Sequence, residues 1–306
     1  MSVLRWWIAV AALLLGGFGC SERAEPRGEA APDLVVRTTF YPTTYLAQRI
    51  GGGLIEIECP LPEGEDPATW SPSPEEIGLY QRARLVVVNG AGLERWAASA
   101  ALPRSRVVDT SAGLTEQLIE LETASHSHGP RGAHSHGGVD GHTWMDPALA
   151  IEQGRAILDG LSRAFPEHAD AFGANFDGLA EDLGLLDAQL GAIDSSGVSM
   201  IARRPAYRYL ARRYGWTIQN LDLDPETELA ESDIVMIVSM IAPGDRGVVL
   251  WESAPLAGTV AMLEAVGLRS VVYSPAENPG PVAGEGDYLT IMRGNIERLS
   301  AALGGG

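Results

Sequence analysis

Apolar and polar positions switch between two periods along the first half of the chain. Leu34–Thr38 is a β-branched run, and the stretch Pro42–Ile50 carries apolar residues at helical spacing. Leu54–Cys59 alternates apolar with acidic residues, as a strand with one solvated face does. Pro72–Arg84 predicts a helix with proline near its first turn, and Leu85–Asn89 predicts a buried strand. A short helix over Leu93–Ala101 and a strand over Arg106–Asp109 complete this series. Two long helices are predicted next, over Ala148–Ala164 and Glu167–Ile193. The second places Phe172, Phe176, Leu179, Leu183, Leu186 and Leu190 on one stripe. Strands at Val198–Ala202, Thr217–Leu221, Val248–Trp251 and Ser270–Tyr273 then alternate with helices at Ala206–Tyr214, Ser232–Ile241, Leu256–Val266 and Tyr288–Leu303. Strand–helix alternation of this kind implies an α/β fold with parallel sheets. The expected architecture is a first lobe over residues 33–165, a linking helix over 166–193 and a second lobe over 194–306. Ligands of such sheets bind beyond the carboxyl ends of the strands.

Two segments fall outside this pattern. Arg5 precedes an apolar run from Trp6 to Gly19 that ends at Cys20. Fourteen residues are too few to span a bilayer and match the core of a signal peptide. Small residues before Cys20 resemble a bacterial lipobox, so residues 1–19 are expected to be removed and Cys20 to carry lipid. Residues 20–32 lack apolar periodicity and read as a flexible tether. The second segment, residues 125–141, is rich in Gly and Ser and contains His126, His128, His134 and His136 as two His-x-His pairs. It predicts an exposed loop with weak affinity for metal ions, because neutral imidazole is a common ligand.

Composition narrows the partners. The formal net charge is −18 and all 22 basic residues are arginine, which excludes a nucleic-acid face and a polybasic membrane patch. Once Cys20 is lipidated, Cys59 has no disulfide partner. No nucleophile elbow, phosphate loop or HExxH motif is present, which points away from catalysis. Trp70, Trp144, Trp216 and Trp251 lie beside these segments and are expected to pack inward.

Several motifs in collinear order resemble the zinc/manganese class of ABC-transporter solute-binding proteins. They are TTFYPTTYLAQ at 38–48, DPATW at 66–70, LVVVNGAGLERW at 85–96, HTWMDP at 142–147 and PAYRYLARRYG at 205–215. The resemblance implies two α/β lobes bridged by a rigid helix and Zn2+ or Mn2+ as transported ligand. It further implies an ABC permease and ATPase as partners, a lipid-anchored monomer outside the cytoplasm, and a site of histidines and carboxylates between the lobes. Carried over by position, the ligand places are Ala68, His142, Arg204 and Ser274, and of these only His142 has a donor suited to a cation. Glu252, directly after a predicted strand and between apolar neighbours, is the expected replacement carboxylate facing His142. Its alternative role is an ion pair with Arg204. Glu63, Glu65, Asp66 and Asp287 are further acids near the expected cleft, each otherwise a solvated side chain or helix cap. Two other readings stay open: a relative that keeps the fold as an envelope interaction module, and a binder of a chelated or anionic ligand held by Arg204.

Overall fold

The computed structural model describes residues 33–121, 138–224, 226–279 and 286–304. Cys20, the signal and tether segments, and His126, His128, His134 and His136 lie outside the described residues. The described residues belong to one compact unit.

The first sheet contains β1 (Val36–Thr38), β2 (Ile57–Glu58), β3 (Leu85–Val88) and β4 (Val107–Asp109), all parallel, in the order β2-β1-β3-β4. Its central strand β3 is buried throughout, as a continuous LVVV run between helical layers should be. A two-residue antiparallel ladder joins β5 (Glu120–Leu121) to β6 (Gly138–Val139). The second sheet contains β7 (Val198–Ala202), β8 (Ile218–Asn220), β9 (Arg246–Trp251) and β10 (Arg269–Val272), again parallel, in the order β10-β9-β7-β8.

Local chemistry explains the helix boundaries. Helix α2 (Pro74–Arg82) starts after Ser73, whose hydroxyl accepts from Glu76 N while Glu76 accepts from Ser73 N, a reciprocal capping box that leaves Pro72 outside. Helix α3 (Pro147–Ala164) is capped by Asp146, which accepts from Ala148 N at 2.9 Å. Gly160 lets α3 lie directly on β4, because a Cβ there would collide with Val108. Helix α4 (Ala169–Gly191) is 23 residues long, about 34 Å at the helical rise. It buries the six apolar side chains of its stripe, each contributing roughly 1.5–3 kcal/mol. It packs on α1 (Tyr41–Gly51) and α3 beside the first sheet, and on α8 (Tyr288–Gly304) beside the second. The remaining helices are α5 (Arg208–Tyr214), α6 (Glu231–Ser239) and α7 (Ala257–Ala265). Among the described residues no helix is long and apolar enough to cross a membrane.

Some expected elements differ. The Leu93–Ala101 helix shrinks to a 3-10 turn at Arg95–Ala98, because Gly90, Ala91 and Gly92 all have positive φ and Glu94 is turned back onto Asn89 N and Gly90 N. The Leu54–Cys59 strand is reduced to β2, paired only through Ile57 and Glu58. Gly138–Val139, expected within the exposed loop, pairs with Glu120–Leu121; two-residue strands leave no periodicity to read. Trp70, Trp144, Trp216 and Trp251 are all buried.

Candidate functional site

Charged side chains converge where strand ends of the second sheet meet the segment before α3. Arg203 and Arg204 follow β7 directly, Glu252 follows β9, Glu277 lies five residues beyond β10, and Arg208 opens α5. Opposite them, Asp140 follows β6 and His142 precedes the Thr143–Met145 turn. The His142 segment is pinned from below by a buried amide network. Asn89 donates to Gly141 O at 2.9 Å, and Gln153 donates to Asn89 Oδ1 at 2.9 Å and to Thr110 Oγ1 at 2.8 Å. The two halves are also joined directly here: Trp144 Nε1 donates to Pro275 O at 2.7 Å, and Tyr288 donates to Trp144 O at 2.6 Å.

The charges form one chain of contacts. Arg208 lies 3.2 Å from Asp140 Oδ2, and Asp140 Oδ1 is 2.6 Å from His142 Nδ1. His142 Nε2 is 3.4 Å from Glu277 Oε1, and both oxygens of Glu277 accept from Arg204 Nη2 at 3.1 Å. Arg204 Nε is 2.6 Å from Glu252 Oε1, while Glu252 Oε2 accepts from Arg203 Nη2 at 3.0 Å.

Electrostatics follows from this geometry. Burial lowers the basicity of His142, but hydrogen bonding to Asp140 and then Glu277 outweighs it and raises its pKa to about 9. Burial pushes Asp140 and Glu277 upward, yet the His142 hydrogen bond to each, with Arg204 also acting on Glu277, leaves both below the ordinary carboxylate range. The imidazolium therefore stabilises the fold fully below its unfolded pKa of 6.5, and that contribution is lost as pH rises through about 9. The carboxylates contribute with the opposite sign, losing their share as pH falls. Unfolding free energy of the metal-free protein should drop by on the order of 3 kcal/mol between pH 6 and pH 9.5. Urea midpoints across that range, with His142→Gln as the variant lacking the slope, check this.

The expected pair, His142 facing Glu252, is replaced by a different one. The carboxylate at His142 Nε2 is Glu277, and Glu252 holds Arg203 and Arg204. Ser274 lies closer to the strand than Glu277; its backbone N–H and carbonyl are both held by Asn295, and its hydroxyl accepts from Ala276 N at 3.1 Å. Ala276 then takes φ 55°, a left-handed conformation costly for a residue with a Cβ, and the next residue, Glu277, meets His142. Reading only the position directly after the strand misses that turn. Asp140 carried a readable signal: it stands two residues before His142 and accepts from His142 N at 3.0 Å, an Asx turn. Ala68 packs partly against the core, with its N–H donating to Asp66 Oδ1 at 2.8 Å. Glu63, Glu65 and Asp66 are exposed. Asp287 caps α8 through Thr290 N at 3.0 Å and also meets the Tyr45 hydroxyl at 3.3 Å. Among the described residues no three His, Cys, Asp or Glu side chains come together as a metal cage.

Known proteins resemble this sequence and share its fold. The chain is 26% identical over 294 residues to the zinc-binding lipoprotein AdcA of Streptococcus pneumoniae, covering 92% of this chain and 57% of that protein. It thus spans little more than half the length of that relative. It is 24% identical over 304 residues to the manganese-binding lipoprotein MntA of Halalkalibacterium halodurans, covering 97% of this chain and 96% of the other. The crystal structure of the Zn(II)-bound ZnuA-like domain of Streptococcus pneumoniae AdcA superposes with a TM-score of 0.73 at 21% identity. That match covers 88% of this chain and 98% of the domain, and establishes the fold. The model of the ZnuA family, zinc-uptake complex component A periplasmic, matches residues 36–302, and the protein belongs to that family.

Proposed function

We propose that this protein is an extracytoplasmic solute-binding protein, not an enzyme, that captures a divalent cation in the cleft between its two sheets. Zinc is the first candidate and manganese the second, and the cation passes to the permease and ATPase of an ABC importer. Family membership and the zinc- and manganese-binding relatives support this reading. The observation that carries it is the run Asp140–His142–Glu277. Asp140 holds Nδ1 of the imidazole at 2.6 Å, so the ring's other nitrogen is aimed at a carboxylate from the opposite half. A carboxylate–histidine pair of this kind orients a metal ligand and raises its basicity. His142 Nε2 and Glu277 are then one nitrogen and one oxygen donor, and water completes a tetrahedral or larger shell.

Because His142 is protonated near neutral pH, the arriving cation displaces its proton as well as its ion pairs. His126, His128, His134 and His136 collect further ions weakly and feed the cleft. Acylation of Cys20 anchors the chain, as a monomer, to a membrane outside the cytoplasm. Zinc titration of the chain starting at residue 20, with and without residues 125–138, tests the reading. One ion should remain bound after the deletion and the additional weak ions should disappear. A deleted chain that binds no zinc and no manganese overturns cleft capture, and an unchanged stoichiometry removes the loop from the account.

A further inference from the structure

The cleft carboxylates are already neutralised by the protein's own arginines, and the three arginines are not held alike. Arg203 donates to Leu223 O at 3.1 Å as well as to Glu252, with its side chain only 19% exposed. Arg208 pairs with Asp140 at the far end of the chain of contacts. Arg204 is the bridge: one guanidinium spans Glu252 and Glu277, and its side chain is 33% exposed, so it has a route to solvent. Glu252 and Glu277 are 11% and 19% exposed and have no comparable freedom. A cation approaching His142 Nε2 meets Glu277 with both oxygens occupied by Arg204.

We propose that Arg204 is a resident counter-cation that sets metal affinity: capture exchanges Arg204 for the metal at Glu277, while Glu252 serves as the arginine's anchor and never as a ligand. This rests on the metal-capture reading above. The arrangement suits an exchange. When Arg204 leaves, Glu252 keeps Arg203 as its partner, so no buried carboxylate is stranded, and Glu277 is freed for the incoming ion. Asp66, on the exposed segment before Ala68, adds its negative charge to those acting on Arg204 and gives the displaced guanidinium an external attraction. Without Arg204 the pair of carboxylates would repel and attract cations more strongly; with it, the metal must compete against a tethered charge. Arginine suits the bridge because its planar fork reaches two carboxylates, which a lysine ammonium does not do with the same geometry.

The test is zinc affinity of the full mature chain, measured by competition with a chelator at fixed pH and salt. The variants are Arg204→Gln, Arg204→Lys, Glu252→Gln and Glu277→Gln, with thermal unfolding as the folding check. Arg204→Gln should bind zinc at least about tenfold tighter than wild type, with Arg204→Lys between the two. Glu252→Gln should stay within a few-fold of wild type, because loosening the arginine and losing a nearby negative charge oppose each other, and Glu277→Gln should bind at least about tenfold weaker. A loss in Glu252→Gln as large as that in Glu277→Gln makes Glu252 a ligand and overturns the proposal. Unchanged affinity in Arg204→Gln, alongside weakening in Glu277→Gln, also overturns it and leaves metal capture standing. Absence of zinc binding in every variant, Arg204→Gln included, overturns both. Should Arg204→Gln fail to fold, the Arg204→Lys variant decides the question by the same sign.

Discussion

Replacing Trp144 with alanine should cost the protein about 4 kcal/mol of stability, near the middle of the range for a buried tryptophan, and lower its melting temperature by roughly 10 °C. The side chain is 1% exposed and packs edge-on against Phe40, with ring centroids 4.8 Å apart. Its indole N–H satisfies Pro275 O, a carbonyl in the turn that leads to Glu277. Truncation therefore opens a cavity and strands that carbonyl together, and the two penalties act on the joint between the halves. Trp144→Phe retains most of the ring and loses only the donor, so it should cost about 1–2 kcal/mol. Chemical unfolding of both variants measures this. Equal stability of Trp144→Ala and wild type would mean that the contact contributes nothing to the joint.

The fold was legible because its strongest signals are local and periodic. The buried stripe on α4 was marked by six apolar residues at helical spacing, and all six are buried. The LVVV run and the alternation of strands with helices implied parallel sheets, and the structure has two of them. Boundaries were less legible where one side chain decides them, as with Glu94 folding back to stop a helix before it forms. The motifs that resemble metal-binding solute-binding proteins led to the family whose model matches residues 36–302.

The site was only half legible. His142 stands within an intact motif, so its identity was readable, and so was the absence of a ligating side chain at Ala68 and Arg204. The partner of His142 was not readable, because a left-handed alanine two residues after Ser274 decides which carboxylate arrives. Glu252 shows the converse. Its position after β9 and its apolar flanks correctly marked a half-buried acid, and it takes the alternative role read for it, the ion pair with Arg204, with Arg203 as a second partner. Periodicity reports burial; it does not report which of several opposite charges a buried group will meet.

Zinc binding in the cleft should fall by on the order of 100-fold or more in His142→Ala at pH 9, and by less at lower pH where the proton already competes for the imidazole, because the only nitrogen donor proposed for the site is removed and carboxylate and water remain. Asp140→Asn is the more informative partner variant, because two effects oppose. Losing the carboxylate behind Nδ1 weakens the orientation and basicity of the imidazole, an effect of roughly 10–100-fold on affinity. Losing it also lowers the pKa of His142 from about 9, the hydrogen bond to Asp140 being the first of the influences that raise it. Near pH 7 only about 1% of an imidazole with that pKa is neutral, so relief from proton competition is worth up to roughly 100-fold. The two should nearly cancel at pH 7, leaving Asp140→Asn close to wild type. At pH 9 the proton no longer competes strongly, the orienting loss stands alone, and the variant should bind about tenfold weaker. Chelator competition at the two pH values reads the difference directly. Asp140 would be shown not to act through the imidazole if the variant's deficit were the same at both, and His142 would not be a ligand if its alanine variant bound zinc like wild type.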